Sequence, residues 1–268
     1  MIKYLRMLRI GDWIRFYPAI PIVGALIAGA MIEQLLLIGL IYFALIGYAF
    51  VVNNYCDVEI DRLHRKKAES NKNPLASGTV GRRGVLIMMG LLVGAVLFGA
   101  AILSQGSGIL GFSLVFLNLL LVTIYSGGPR LKDVPFLDIV THGLMFGAVP
   151  FLAGFVLASG AVTSEALILT VLPFLLGCEA LIAHQVVEYE MDVDSTKTTI
   201  TGLGQRKGIL LLGILAATSL VILLLLIISP AVQLHPLILA AAGLYLLAYP
   251  IYSCRGIFDD IRHCAGAQ

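Results

Sequence analysis

The stretch QLLLIGLIYFALIGYAFVVNNYC (residues 34–56), running straight into DVEIDR (57–62), decides the fold. Its first part is an apolar run long enough to cross a bilayer as one helix, since the hydrocarbon core takes about 20 residues. Its end carries Asn53, Asp57 and Asp61 at a spacing of four. On an α-helix each step of four advances about 40°, so the three share one face. A carboxylate at the centre of a membrane helix costs about 2.5–3.5 kcal/mol, and less toward its ends. Here it also meets the negative end of the helix dipole. A cation is expected to compensate. Hard oxygen donors suit Mg²⁺, which takes one or two carboxylates together with phosphate oxygens and waters.

The rest of the composition agrees with a lipid-solvated chain. Of 268 residues, 59% are hydrophobic and 13% charged, with a mean hydropathy of +0.96. Soluble domains carry about 25% charged residues. The length suits one membrane domain, residues 1–268, without a large soluble module. A net charge of +2 gives no case for nucleic acid. Cys56, Cys178, Cys254 and Cys264 lack paired spacing and read as reduced thiols rather than a metal site. The N-terminal MIKYLRMLRIGDWIRF is basic and amphipathic, has no small-residue cleavage site, and is not read as a signal peptide.

Eight apolar runs emerge, near 16–31, 34–56, 84–104, 108–127, 134–158, 164–187, 208–229 and 234–253. None contains Lys or Arg. All 18 basic residues fall in the N-terminus, the 57–83 loop, the loop with Arg130 and Lys132, the loop with Lys197, Arg206 and Lys207, and the tail. With eight helices these five segments share one side, and the intervening short loops carry no basic residue. The positive-inside rule then expects both termini and the long polar loops in the cytosol.

The end of the sixth run echoes the end of the second. His184, Glu188 and Asp192 repeat the spacing of four, which suggests two pseudo-repeated halves, about 16–127 and 134–253. Glu188 and Asp192 share a face, whereas Glu190 and Asp194 lie about 200° from those partners on an ideal helix. His184 reads either as a packed histidine or as a base on the acceptor side. Two acidic motifs can bring two Mg²⁺ ions, and the Lys and Arg of the 57–83 loop, Lys72 among them, can neutralise a leaving diphosphate. NPLASG (73–78) reads as a turn. In YSGGPRLKDVPFLD (125–138), Lys132 is placed to meet a phosphate, and Tyr125 offers a hydroxyl or a ring face.

Taken together these motifs resemble the UbiA-type intramembrane prenyltransferases over nearly the whole chain. Asn53-x-x-x-Asp57-x-x-x-Asp61 with Asn73-Pro-Leu-Ala-Ser-Gly is similar to the family's first Asp-rich motif and the segment after it. Tyr125-Ser and Arg130-Leu-Lys132-x-x-Pro135 are similar to its loop after helix 4, and the Arg130-Leu-Lys132-x-x-Pro part also resembles that of a carotenoid-type branch. Glu188-x-x-x-Asp192 with Lys197-Thr-Thr resembles the second motif. The resemblance implies an all-α, multi-pass transmembrane bundle around a central cavity that opens to lipid, capped by cytosolic loops. It implies Asp57, Asp61, Glu188 and Asp192 as Mg²⁺ ligands, with Asn53 at that site. Tyr125 and Lys132 would contact the diphosphate, and Arg15 resembles a helix-1 arginine near the site. Three features depart from the pattern: eight helices where nine are common, Glu188 where Asp is usual, and Asn73-Pro74 where Arg-Pro is common, with Lys72 as substitute.

The reaction this implies is Mg²⁺-dependent ionisation of an isoprenyl diphosphate, followed by capture of the allylic cation by a lipophilic acceptor. Tyr48, Phe50 and Phe116 are candidates to shield the cation. An aromatic quinone precursor, a glycerol-phosphate lipid and a polyene all remain open as acceptors. A terpene cyclase on the same scaffold would capture the cation with the chain's own alkene. A transporter would instead place its ionisable groups near the bilayer midplane, whereas these carboxylates cluster at helix ends.

Overall fold

A computed structural model describes residues 2–63, 73–229 and 236–253. Among these the chain is helical, without strands. Every apolar run becomes a helix: α1 (Ala19–Ile27), α2 (Ile32–Cys56), α3 (Arg82–Ser107), α4 (Ile109–Ser126), α5 (Leu137–Ser159), α6 (Ser164–Val187), α7 (Gln205–Ile228) and α8 (Pro236–Ser253). The six from α2 to α7 are long and apolar enough to cross a membrane. Leu36, Leu91, Phe98, Leu210 and Leu224 stand more than half exposed on their surfaces. Lipid solvates such side chains where water would not. The protein is an integral, multi-pass membrane protein.

α1 is shorter than the apolar run that encodes it. At 1.5 Å per residue its nine residues reach only about 14 Å. It ends in a Schellman motif: Ala30 N–H donates to Ala25 O and Gly29 N–H to Leu26 O, both at 3.0 Å. Gly29 takes the left-handed conformation (φ +78°) this requires.

The chain divides into two compact units, residues 1–130 with 149–166, and residues 131–148 with 167–268. The breaks between them fall after Arg130, within α5 just after a π-helical turn at Leu144–Ala148, and in the first turn of α6. In the first unit α1 and α5 touch backbone to backbone. A Cβ on Gly24 would lie 2.2 Å from Phe151 O, and one on Gly154 would lie 2.0 Å from Pro21 O. Small residues that permit such approach drive helix association in lipid, where no hydrophobic effect does.

The N-terminal turns fold onto α2. Trp13 is fully buried, donates Nε1–H to Leu8 O (2.6 Å) and meets Phe43 edge-on at 5.2 Å. Met7 and Leu8 join Val51, Val58, Leu75, Val80 and Val85 in one apolar cluster. That cluster binds the end of α2 to the 73–80 turn. A second cluster, in the second unit, gathers Ile139, Leu181, Ile182, Val186, Ile200 and Leu212. It fixes the end of α6 against the start of α5 and the short helix Thr199–Leu203.

Candidate functional site

Both acidic motifs are built in the same way. α2 stops at Cys56, Asp57 bridges with φ −93° and ψ 5°, and Val58–Leu63 resumes the helix. α6 stops at Val187, Glu188 bridges with φ −91° and ψ 7°, and Tyr189–Asp192 resumes. The i→i−4 ladder survives each bridge. Asp57 N–H donates to Asn53 O (2.9 Å) and Asp61 N–H to Asp57 O (2.8 Å). Glu188 N–H donates to His184 O (3.0 Å) and Asp192 N–H to Glu188 O (3.1 Å). The spacing of four therefore keeps each set on one face. Asp57, Asp61, Glu188 and Asp192 are half-buried, and the intervening Glu59 and Glu190 are exposed, as is Asp194.

In the first motif each polar side chain has a specific partner. Ser126 Oγ donates to Asn53 Oδ1 (3.1 Å). Arg130 pairs with Asp57, Nη2 to Oδ1 at 3.1 Å. Asn73, buried, donates Nδ2–H to Asp61 Oδ2 (2.8 Å) and to Asn54 O (2.7 Å). Its Oδ1 accepts from Leu75 N–H and Ala76 N–H. The Asn-Pro-Leu-Ala-Ser-Gly turn is thus wound around Asn73 and presents its amide to Asp61. Glu59 turns outward to Arg62 and Arg82, both at 3.2 Å.

In the second motif His184 Nε2 lies 3.4 Å from Glu188 Oε2. His184 is exposed, so it is not the packed histidine that the sequence allowed. That part falls to His142, whose Nδ1 lies 2.8 Å from Gly177 O. Lys132 sits half-buried in the 3₁₀ turn Leu131–Asp133. Tyr125 occupies the last turn of α4, half-buried, and Arg15 is exposed between Ile10–Trp13 and α1. Lys72 lies outside the described residues, as do Cys254 and Cys264. Cys56 and Cys178 are free thiols.

The aromatic candidates separate. Tyr48 is buried with its hydroxyl 3.0 Å from Thr123 Oγ1. Phe50 already carries a cation of its own chain, Arg9, 5.1 Å from its ring centre. Phe116 is half exposed on α4. Sequence reasoning missed Arg130, Ser126 and Asn73 as partners of the first motif. Each stands inside a segment that the sequence singles out, but its spacing assigns it no partner.

The UbiA prenyltransferase family matches residues 18–261. A search of curated protein sequences found no match. A UbiA homolog from Archaeoglobus fulgidus, solved with GPP and Mg²⁺, superposes with a TM-score of 0.75 at 22% identity, covering 93% of this chain and 86% of that one. The apo structure of a UbiA homolog from Aeropyrum pernix K1 gives 0.70 at 18% identity over 97% and 98% of the two chains. A structure described for digeranylgeranylglyceryl phosphate synthase gives 0.65 at 19% identity, over 94% and 87%. These likenesses establish the fold, and the match over nearly the full length establishes the family: the chain is a member of the UbiA prenyltransferase family.

Proposed function

We propose that the protein transfers a prenyl group from an isoprenyl diphosphate to a lipophilic acceptor, using Mg²⁺ bound by Asp57 and Asp61 and by Glu188 and Asp192. The observation that carries this reading is the pair of matching bridged helix ends. Each holds two half-buried carboxylates on one face and turns the intervening glutamate away. The A. fulgidus homologs solved with GPP or DMAPP and Mg²⁺ support it.

The donor set fits the ion. Among the described residues no three His, Cys, Asp or Glu side chains form a ready cage. Mg²⁺ does not need one, because it completes its octahedron with phosphate oxygens and waters. Bound at these carboxylates, it would neutralise charge developing on the diphosphate. Arg130, paired with Asp57, offers positive charge to a diphosphate through a planar fork, and Lys132 offers it as a point charge. Tyr125 offers a hydroxyl. Asn53 presents its side chain on the face of Asp57 and Asp61.

The C1–O bond of the donor breaks with its electron pair leaving on the diphosphate. The acceptor then bonds to C1 and releases a proton. Apolar surroundings keep water away from the allylic cation. The basic segments and both termini lie on the cytosolic side, supported by the confinement of all 18 Lys and Arg to one set of loops.

The test is purified protein with labelled geranylgeranyl diphosphate, Mg²⁺ and a panel of aromatic, glycerol-phosphate and polyene acceptors. A prenylated acceptor that disappears in EDTA supports the reading. Turnover that persists in EDTA contradicts the metal site, and a cyclic hydrocarbon formed from the donor alone contradicts transfer.

A further inference from the structure

Asp138, at the start of α5, is completely buried and belongs to neither acidic motif. Both its oxygens are saturated. Oδ2 accepts from Gln185 Nε2 (2.9 Å) and from Thr199 N–H (2.8 Å). Oδ1 accepts from Ile139 N–H (2.8 Å) and from the Thr199 hydroxyl. All four donors are neutral. A carboxylate accepts about four hydrogen bonds, and a buried one with that complement filled is rigid and intolerant of change.

The donors come from segments far apart in sequence. Gln185 stands one turn before Glu188, and Thr199 opens the helix Thr199–Leu203 that follows Asp192. One carboxylate oxygen thus grips the chain on both sides of residues 186–198, the segment that carries Glu188 and Asp192. Gln185 Oε1 accepts from Ile200 N–H and draws the two ends together again.

The same carboxylate reaches the short link between the Lys132 turn and α5. The Thr199 hydroxyl that donates to Asp138 accepts from Phe136 N–H (2.6 Å). Phe136 holds φ +68°, a costly conformation for a bulky residue. Phe136 stands three residues after the turn Leu131–Asp133 and directly before the first residue of α5.

We propose that Asp138 is the positioning residue of the second carboxylate pair, locking the Glu188–Asp192 segment and the Lys132 turn into one frame through Thr199 and Gln185. This rests on the reading of Glu188 and Asp192 as Mg²⁺ ligands. Groups that orient metal ligands from behind cost about 10–100-fold in metal affinity when removed.

The variants are Asp138→Asn, Thr199→Val, Thr199→Ser and Glu188→Gln. Asparagine keeps the shape of Asp138 but sets an N–H₂ against donors. Valine removes the hydroxyl from both of its bonds, and serine keeps it. The first measurement is hydrogen exchange in the ligand-free protein. Asp138→Asn and Thr199→Val should speed exchange across 188–198 and leave α2 unchanged, while Thr199→Ser should match the wild type.

The second measurement is Mg²⁺-dependent binding of inorganic pyrophosphate by calorimetry. Asp138→Asn and Thr199→Val should weaken Kd by about 10–100-fold at unchanged stoichiometry, with Thr199→Ser close to wild type. A merely structural role would lower the stoichiometry of competent protein and leave Kd alone, which would overturn the inference. So would wild-type Kd in Asp138→Asn beside lost binding in Glu188→Gln. If Glu188→Gln itself binds like wild type, the metal reading of the second motif falls and this inference falls with it.

Discussion

Replacing Asn73 by alanine tests how the first motif is held. The amide makes two donor bonds, to Asp61 Oδ2 and Asn54 O, and two acceptor bonds, from Leu75 and Ala76 N–H at 3.2 and 3.3 Å. A bond to a charged group contributes about 1.5–3 kcal/mol and a neutral one about 0.5–1.5, with the two long bonds at the low end. Water can refill the positions nearest the loop surface. The net cost is therefore about 2–3 kcal/mol, concentrated where Asp61 meets the turn. At about 1.4 kcal/mol per decade, local opening should become about 30–150 times more frequent. Hydrogen exchange in detergent reads this directly. Amides of 57–63 and 75–80 should exchange faster by that factor, and those in the middle of α4 should not change. Exchange at 57–63 equal to wild type would show that Asn73 does not hold Asp61, and the account of the turn would be wrong.

Arg130→Gln should raise KM for the prenyl diphosphate by about tenfold or more through loss of a diphosphate contact, yet change stability by under about 1 kcal/mol, because the pair with Asp57 is only partly buried; steady-state kinetics and thermal unfolding check the two parts. Gly154→Val should destabilise the protein by at least about 2 kcal/mol, since its Cβ meets the Pro21 carbonyl and the backbone must move. Unfolding in detergent measures this. In a cysteine-free background, an impermeant thiol reagent applied to intact cells should label Gly106→Cys and spare Gly128→Cys. The reverse pattern would invert the orientation.

The helices were legible because lipid imposes one simple demand, an apolar run of sufficient length. The run 164–187 reproduces α6 residue for residue. The run 34–56 misses only the first two residues of α2. α1 was over-read at 16–31 because hydropathy does not register the turn through Pro18 or the left-handed Gly29. The shared face of each i, i+4, i+8 set was legible because a four-residue step survives the bridging residue at Asp57 and at Glu188. Their partners were not. Arg130 lies 73 positions from Asp57, and Thr199 lies 61 from Asp138. Pairings of that reach follow from helix packing, which no local spacing encodes. The fold of the N-terminal turns was hidden too. Arg9 enters the left-handed region and Trp13 swings inward, whereas the sequence there shows only an amphipathic, basic segment.

The central claim is that the half-buried carboxylates, and not their exposed neighbours, bind Mg²⁺. The most direct measurement is turnover against Mg²⁺ concentration for Asp57→Asn, Asp61→Asn, Glu188→Gln, Glu188→Asp, Glu190→Gln and Asp194→Asn, each verified as folded. The account predicts near-complete loss for Asp57→Asn, Asp61→Asn and Glu188→Gln, and partial retention for Glu188→Asp, which keeps the charge with a shorter reach. Glu190→Gln and Asp194→Asn should behave like wild type, since both side chains face outward. A severe defect in Glu190→Gln or Asp194→Asn beside a near-normal Glu188→Gln would contradict the claim and move the second metal to the other face of the helix end.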